Sequence, residues 1–187
     1  MINSNFGFTP LKEVWIGDCY PESFFSHLPN EVADPFRLIT EWTKQDTGSL
    51  QKFLEARNIT VRRPVFDSIE DHLDTNDNLV KPPVTPRDHY FVLDKTLYSL
   101  HNRLPKDPWH HTLDQYIAHG YDVQYPKDKP INCLCPPAVC RIGSDLFVDT
   151  ISHQHIWGFV CQWMVEQSKN YRINICNTQG HSDGVFC

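Results

Sequence analysis

The sequence predicts an α/β fold built from repeated modules, each a hairpin, a helix and a returning strand. Two internal alignments and one change of period predict it. Asp94-Lys95-Thr96-Leu97-Tyr98 lies on Gly143-Ser144-Asp145-Leu146-Phe147 at an offset of 49 residues (94 to 143). Tyr121 lies on Tyr171 at an offset of 50 (121 to 171), each at the start of a strand-like run. Between these landmarks the apolar spacing changes from the period of a strand to that of a helix and back. A repeat of that length, in which no unit buries its apolar face alone, points to radial or stacked repetition. About three such units fit in the 187 residues, read as one partial domain over residues 1–187.

Taken in order, Leu11 to Gly17 follows Pro10 and reads as a buried strand. Phe36, Ile39, Trp42, Leu50, Phe53 and Leu54 recur at helical intervals, with Thr47-Gly48 expected to divide or kink the helix. Residues 59–64 return as a strand. The segment from Asp67 to Thr85, rich in Asp and Asn and holding Pro82-Pro83, reads as a long surface loop. Phe91 to Ser99 is expected to be a hairpin around Asp94-Lys95. Pro108-Trp109 opens a helix ending near Gly120, and residues 121–125 form the returning strand. The pattern repeats as a hairpin over Val139 to Val148, a helix carrying Ile156, Phe159, Val160, Trp163 and Met164, and a strand over Tyr171 to Cys176. Val185-Phe186-Cys187 reads as the beginning of another strand, so further modules are expected beyond it.

A formal net charge of −6 without a run of like charges gives no electrostatic footprint for nucleic acid or an anionic membrane. The opening residues lack the basic and apolar regions of a signal peptide, and no apolar stretch has the length of a membrane span. A cytoplasmic location is the expectation. The seven cysteines lack the even, dense spacing of a secreted disulfide framework and are read as reduced thiols.

Two short motifs carry the chemistry. In Gly180-His181-Ser182-Asp183-Gly184, His181 and Asp183 would share one face of a strand and address one ligand. Alone, this motif reads equally well as a polar turn, and Pro86-Arg87-Asp88 reads as a surface ion pair. Each, however, precedes a hairpin position of the repeat, and equivalent ends of repeated units converge in a radial fold. Cys133, Cys135 and Cys140, with His153 and His155, are weighed as metal ligands and set aside, because C-x-C-x4-C is not the paired C-x2-C of structural zinc. His110-His111 is read as an exposed helix pair. No metal or other cofactor is implied.

Thr9-Pro10-Leu11-Lys12-Glu13-Val14-Trp15-Ile16-Gly17, Pro86-Arg87-Asp88, Arg141-Ile142-Gly143-Ser144-Asp145-Leu146-Phe147-Val148 and His181-Ser182-Asp183 resemble, in this order, the landmarks of the arginine:glycine amidinotransferase family. The resemblance implies the pentein α/β-propeller of guanidino-modifying enzymes, incomplete here, with about three of its five modules. It implies His181 as the catalytic histidine, Asp183 as a substrate-contacting carboxylate and Asp88 as the carboxylate that holds the guanidinium. The implied reaction transfers an amidino group from arginine to an amine through a cysteine-bound intermediate. The implied partners are small molecules, and a homo-oligomer is allowed.

Two departures accompany the resemblance. The family's nucleophilic cysteine falls well after the histidine, beyond Cys187, and Ala138 stands where the family has a catalytic aspartate, with Asp145 and Asp149 nearby but not in register. The 187-residue chain is therefore expected to be inactive by itself. A guanidine hydrolase of the same superfamily and a non-catalytic guanidino-compound binding protein are the alternatives.

Overall fold

The computed structural model describes residues 10–73, 76, 79, 82, 84–99, 107–124, 136–150, 154 and 157–178, the side chains of Ser99, Trp157 and Phe159 excepted. Two compact units emerge. One combines Pro10–Pro86 with Arg103–Gln115, and the other combines Met1–Thr9 with Arg87–Asn102 and Tyr116–Cys187.

The first unit begins with a strand, helix, strand motif: β1 (Glu13–Trp15), α1 (Asn30–Glu55) and β2 (Thr60–Arg62). The two strands pair in parallel, Val14 opposite Val61, as a helical crossover dictates. The Arg62 Nε donates to Glu13 at 3.2 Å across this pair. The helix is one continuous element, starting earlier than the apolar spacing predicts and running through Thr47-Gly48 without a break. Thr47 and Ser49 donate their hydroxyls to the carbonyls of Thr43 and Gln45, the back-bonding that lets such residues sit inside a helix. It ends where Asn58 enters the left-handed region (φ 59°) and the Ile59 N–H reaches back to the Leu54 carbonyl. Its apolar positions are not a buried face: Ile39 is 52% and Trp42 58% exposed.

The core of this unit lies elsewhere. Tyr20, Phe24, Phe25 and Ala33 are buried together, with Phe66, Ile69 and Leu79 packed on them. Two of these partners belong to the segment read as a surface loop. Its short 3-10 turn, Glu70–His72, buries the His72 ring 5.3 Å from both Tyr20 and Phe66, so the described part of the loop is a lid on the core. Trp109, also buried, stacks on Trp15 at 4.5 Å.

The second unit contains the repeat. Its first module pairs β3 (Tyr90–Leu93) antiparallel with β4 (Thr96–Ser99), and β4 parallel with β5 (Asp122–Gln124). The next pairs β6 (Val139–Ile142) with β7 (Asp145–Asp149), and β7 with β8 (Arg172–Cys176), in the same senses. In chain order α2 (His110–Ala118) precedes β5, and α3 (Trp157–Gln167) precedes β8. Both hairpins stand where the sequence alignment puts them, and their turns match: Asp94 (φ 52°) and Gly143 (φ 62°) are left-handed at equivalent positions. Gly120, at φ 77°, closes α2 as expected.

The modules share one core. Phe91, Leu93 and Tyr98 from the first meet Val139, Leu146 and Val148 from the second, with Val160, Trp163 and Met164 of α3 closing over them. Neither hairpin would bury these side chains alone, which is the physical reason for repetition. The described strands form three separate sheets, not one open, doubly wound layer.

Candidate functional site

The two hairpins of the second unit are each entered through a short 3-10 turn, Pro86–Asp88 before β3 and Pro136–Ala138 before β6. Asp88, half-buried, closes the first turn. Ala138, fully buried, closes the second. The two turns are therefore equivalent, and the second has a methyl group where the first has a carboxylate.

Arg87 joins these turns. Its guanidinium donates to the carbonyls of Pro136 at 2.5 Å and Val139 at 2.6 Å. This is a bidentate hold on main-chain oxygens, for which a planar guanidinium is suited. Asp88, the neighbour in sequence, is positioned by an anchored arginine.

The antiparallel register of β6 and β7, with Val139 opposite Val148, brings Asp149 to the same end. Asp149 has no exposed surface, and its Oδ2 accepts the Thr178 N–H at 2.8 Å and the Thr178 hydroxyl. Cys176 lies opposite Asp149 in the register. Burial pushes its thiol up, and Asp149 and Cys140 push it further, so Cys176 is a poor source of thiolate. Thus Asp88, Asp149 and Thr178 belong to the same end of the sheets, and Thr178 precedes His181 by three positions in the sequence. His181 and Asp183, together with Cys133, Cys135, His153, His155 and Cys187, lie outside the described residues.

The opposite end, at the hairpin turns, has a shallow depression of about 450 Å³ lined by Asp94, Arg141, Gly143, Ser144, Asn170 and Tyr171. Asp94, Arg141 and Tyr171 hold one another there. The Tyr171 hydroxyl donates to Asp94 at 2.5 Å, Arg141 contacts Asp94 at 3.3 Å and lies over the Tyr171 ring at 4.8 Å, and its Nε donates to the Gly143 carbonyl. This is a clamp between successive hairpins. Asp145 is likewise structural: Arg172 and Asn174 donate to it, in that order of effect, and hold its carboxyl below the usual range. Neither the Asp149–Thr178 bond nor the Tyr171–Asp94 clamp was visible in the sequence, because each joins residues far apart in the chain.

No family model and no curated protein matches this chain. Among solved structures, an inosamine-phosphate amidinotransferase from Streptomyces griseus matches 95% of this chain and 63% of its own, with a TM-score of 0.65 at 16% identity. An amidinotransferase of the saxitoxin biosynthetic pathway from Microseira wollei matches 96% of this chain and 63% of its own, with a TM-score of 0.61 at 15% identity. The fold is that of amidinotransferases. The chain spans 63% of the length of each of these amidinotransferases. Of the three residues carried over from the amidinotransferase resemblance, Asp88 is the one within the described part. Among the described residues, no helix is long and apolar enough to cross a membrane.

Proposed function

We propose that this chain carries the guanidino-binding modules of an amidinotransferase that moves an amidino group from arginine to an amine. The fold likeness over 95% of the chain, joined to an anchored Pro86-Arg87-Asp88 turn at a strand end, carries the reading. Asp88 and Asp183 would accept the paired N–H donors of the guanidinium, a geometry that suits carboxylates. A thiolate, placed by the resemblance beyond Cys187, would attack the central carbon, and the bond from that carbon to the departing amine would break as His181 protonates the amine. The acceptor amine would then attack the same carbon, lose its proton to His181 and release the thiolate. The pentein ring, with about three of its five modules in this chain, belongs to the same proposal.

One observation favours the non-catalytic alternative. Ala138 is buried where the resemblance places a catalytic aspartate, and Asp149, at the same end of the sheets, is already held by Thr178. The experiment is ornithine release from arginine, measured on the 187-residue chain and on the same chain continued along its gene through a downstream cysteine. The continued protein should turn over and the 187-residue chain should not. In the continued protein, His181→Ala should abolish turnover while retaining arginine binding, and Asp88→Asn should weaken binding. Arginine binding without turnover by the continued protein would favour the binding protein instead. Citrulline in place of amidino transfer would favour the hydrolase.

A further inference from the structure

The loop after β2 and the start of α2 bring together three ligating side chains that the proposed chemistry does not use. Asp67, His110 and His111 each offer one ligand atom, and these atoms lie within 4.8 Å of one another. His110 is half-buried, whereas Asp67 and His111 are open to solvent. The backbone fixes their supports. The Val65 N–H donates to the Pro108 carbonyl at 2.7 Å, tying the loop to the helix start, and Asp107 Oδ1 accepts the Trp109 N–H at 2.8 Å as a helix cap does. The buried indole of Trp109 anchors the turn from which both histidines project.

The orientation of His110 is the informative detail. Its Nδ1 lies 2.8 Å from the Asp107 carbonyl, an acceptor only, so Nδ1 carries the proton. In the neutral ring, Nε2 then presents its lone pair, and that atom faces Asp67 Oδ2 at 3.5 Å. Two acceptors facing each other call for a proton or a cation between them. A separation of 3.5 Å is long for a hydrogen bond. It is close to the ~3.3 Å between two ligands of a tetrahedral ion with metal–ligand bonds of about 2.0–2.1 Å. The His111 ring, with its centroid 3.9 Å from that of His110, supplies the third donor from the adjacent position.

We propose that Asp67, His110 and His111 form a binding site for a divalent transition metal of the zinc class, with a fourth position left to solvent. Two imidazoles and one carboxylate suit zinc better than the hard, oxygen-preferring calcium or magnesium. The Nδ1–H bond to a carbonyl is the outer support that metal-binding histidines characteristically have, and it fixes the tautomer that ligates through Nε2. The positive end of α2 opposes a dication, and the Asp67 charge offsets that.

The test is a calorimetric titration of the 187-residue chain with Zn²⁺, repeated with Co²⁺ for its visible ligand-field spectrum. One ion per chain is expected at the site. His110→Ala, His111→Ala and Asp67→Asn should each lower its affinity by at least about the tenfold that loss of even an outer support costs. His27→Ala, at an exposed histidine in the same unit, should leave it unchanged. Circular dichroism of each variant separates loss of a ligand from loss of fold, and the exposed His111 and Asp67 can be replaced without opening the core. Affinity equal in all three variants and the parent would place binding at other histidines and overturn the proposal. Absence of Zn²⁺ binding by the folded parent would leave a proton between His110 and Asp67 and overturn it equally.

Discussion

The guanidinium of Arg87 holds the carbonyl of Val139 at 2.6 Å, tying the turn before one hairpin to the first residue of the next. The same group binds the Pro136 carbonyl, so one side chain satisfies two main-chain acceptors that a small side chain would leave unmatched. Arg87→Ala should destabilise the protein by roughly 2–3 kcal/mol, as expected for charge-assisted bonds to main chain. Arg87→Lys should recover only part, because an ammonium cannot copy the planar fork. Urea denaturation measures both. A change within about 0.5 kcal/mol for the alanine variant would mean that the turns hold without it.

Gly48 offers an opposite case. It sits inside α1, and a Cβ built on it meets no atom within 4 Å. Its backbone freedom therefore costs stability with no packing in return. Gly48→Ala should stabilise the chain by about 1 kcal/mol and raise the thermal midpoint by roughly 2–4 °C. A lower midpoint would show that the helix needs its flexibility there.

The repeat was legible because each module repeats its own local rule. An Asp-Lys or Gly-Ser pair between apolar runs announces a turn with a left-handed residue, and Asp94 and Gly143 adopt it. Helix positions were legible from apolar spacing, but burial was not. In α1 the stripe containing Phe36, Ile39 and Trp42 marks a helix whose apolar face is largely exposed. The polar composition of residues 67–85 concealed His72 and Leu79, whose burial depends on aromatic partners from another part of the chain. At the site, Pro86-Arg87-Asp88 could be found as a motif, yet the role of Arg87 required partners about 50 positions away. The His110–Asp67 approach was hidden for the same reason, since adjacent histidines on a helix carry no signal until a loop brings the third group.

Cys176 supplies a test of which thiol performs the proposed chemistry. It lies near the Asp88 end of the sheets, but burial first, and then Asp149 and Cys140, push its thiol up. Thiolate, not thiol, is the nucleophile. Cys176 should therefore resist alkylation by iodoacetamide at neutral pH until the protein unfolds, read by peptide mass spectrometry. In the continued protein, Cys176→Ser should leave ornithine release unchanged. Loss of turnover in that variant would move the nucleophile to Cys176.

Tyr171 and Asp94 predict a pH dependence with a definite sign. The Tyr171 hydroxyl donates to Asp94 at 2.5 Å. Burial raises its pKa most, the bond to Asp94 adds to the rise, and Arg141 opposes it in part. A group raised above its unfolded value contributes stability that is fully present below the unfolded pKa and lost as pH climbs through the folded one. With an unfolded phenol near about 10, the loss should begin above about pH 10 and continue upward, with no contribution to instability in acid. Tyr171→Phe removes the proton and the bond together. At neutral pH it should cost roughly 1–2 kcal/mol, the worth of a hydrogen bond to a charged acceptor. Above about pH 10 the difference between variant and parent should shrink, because the parent loses what the variant never had. Urea denaturation of the two proteins from neutral to alkaline pH measures that difference, and a gap that widened with pH would mean that Tyr171 is stabilised as its phenolate and that the clamp works the other way.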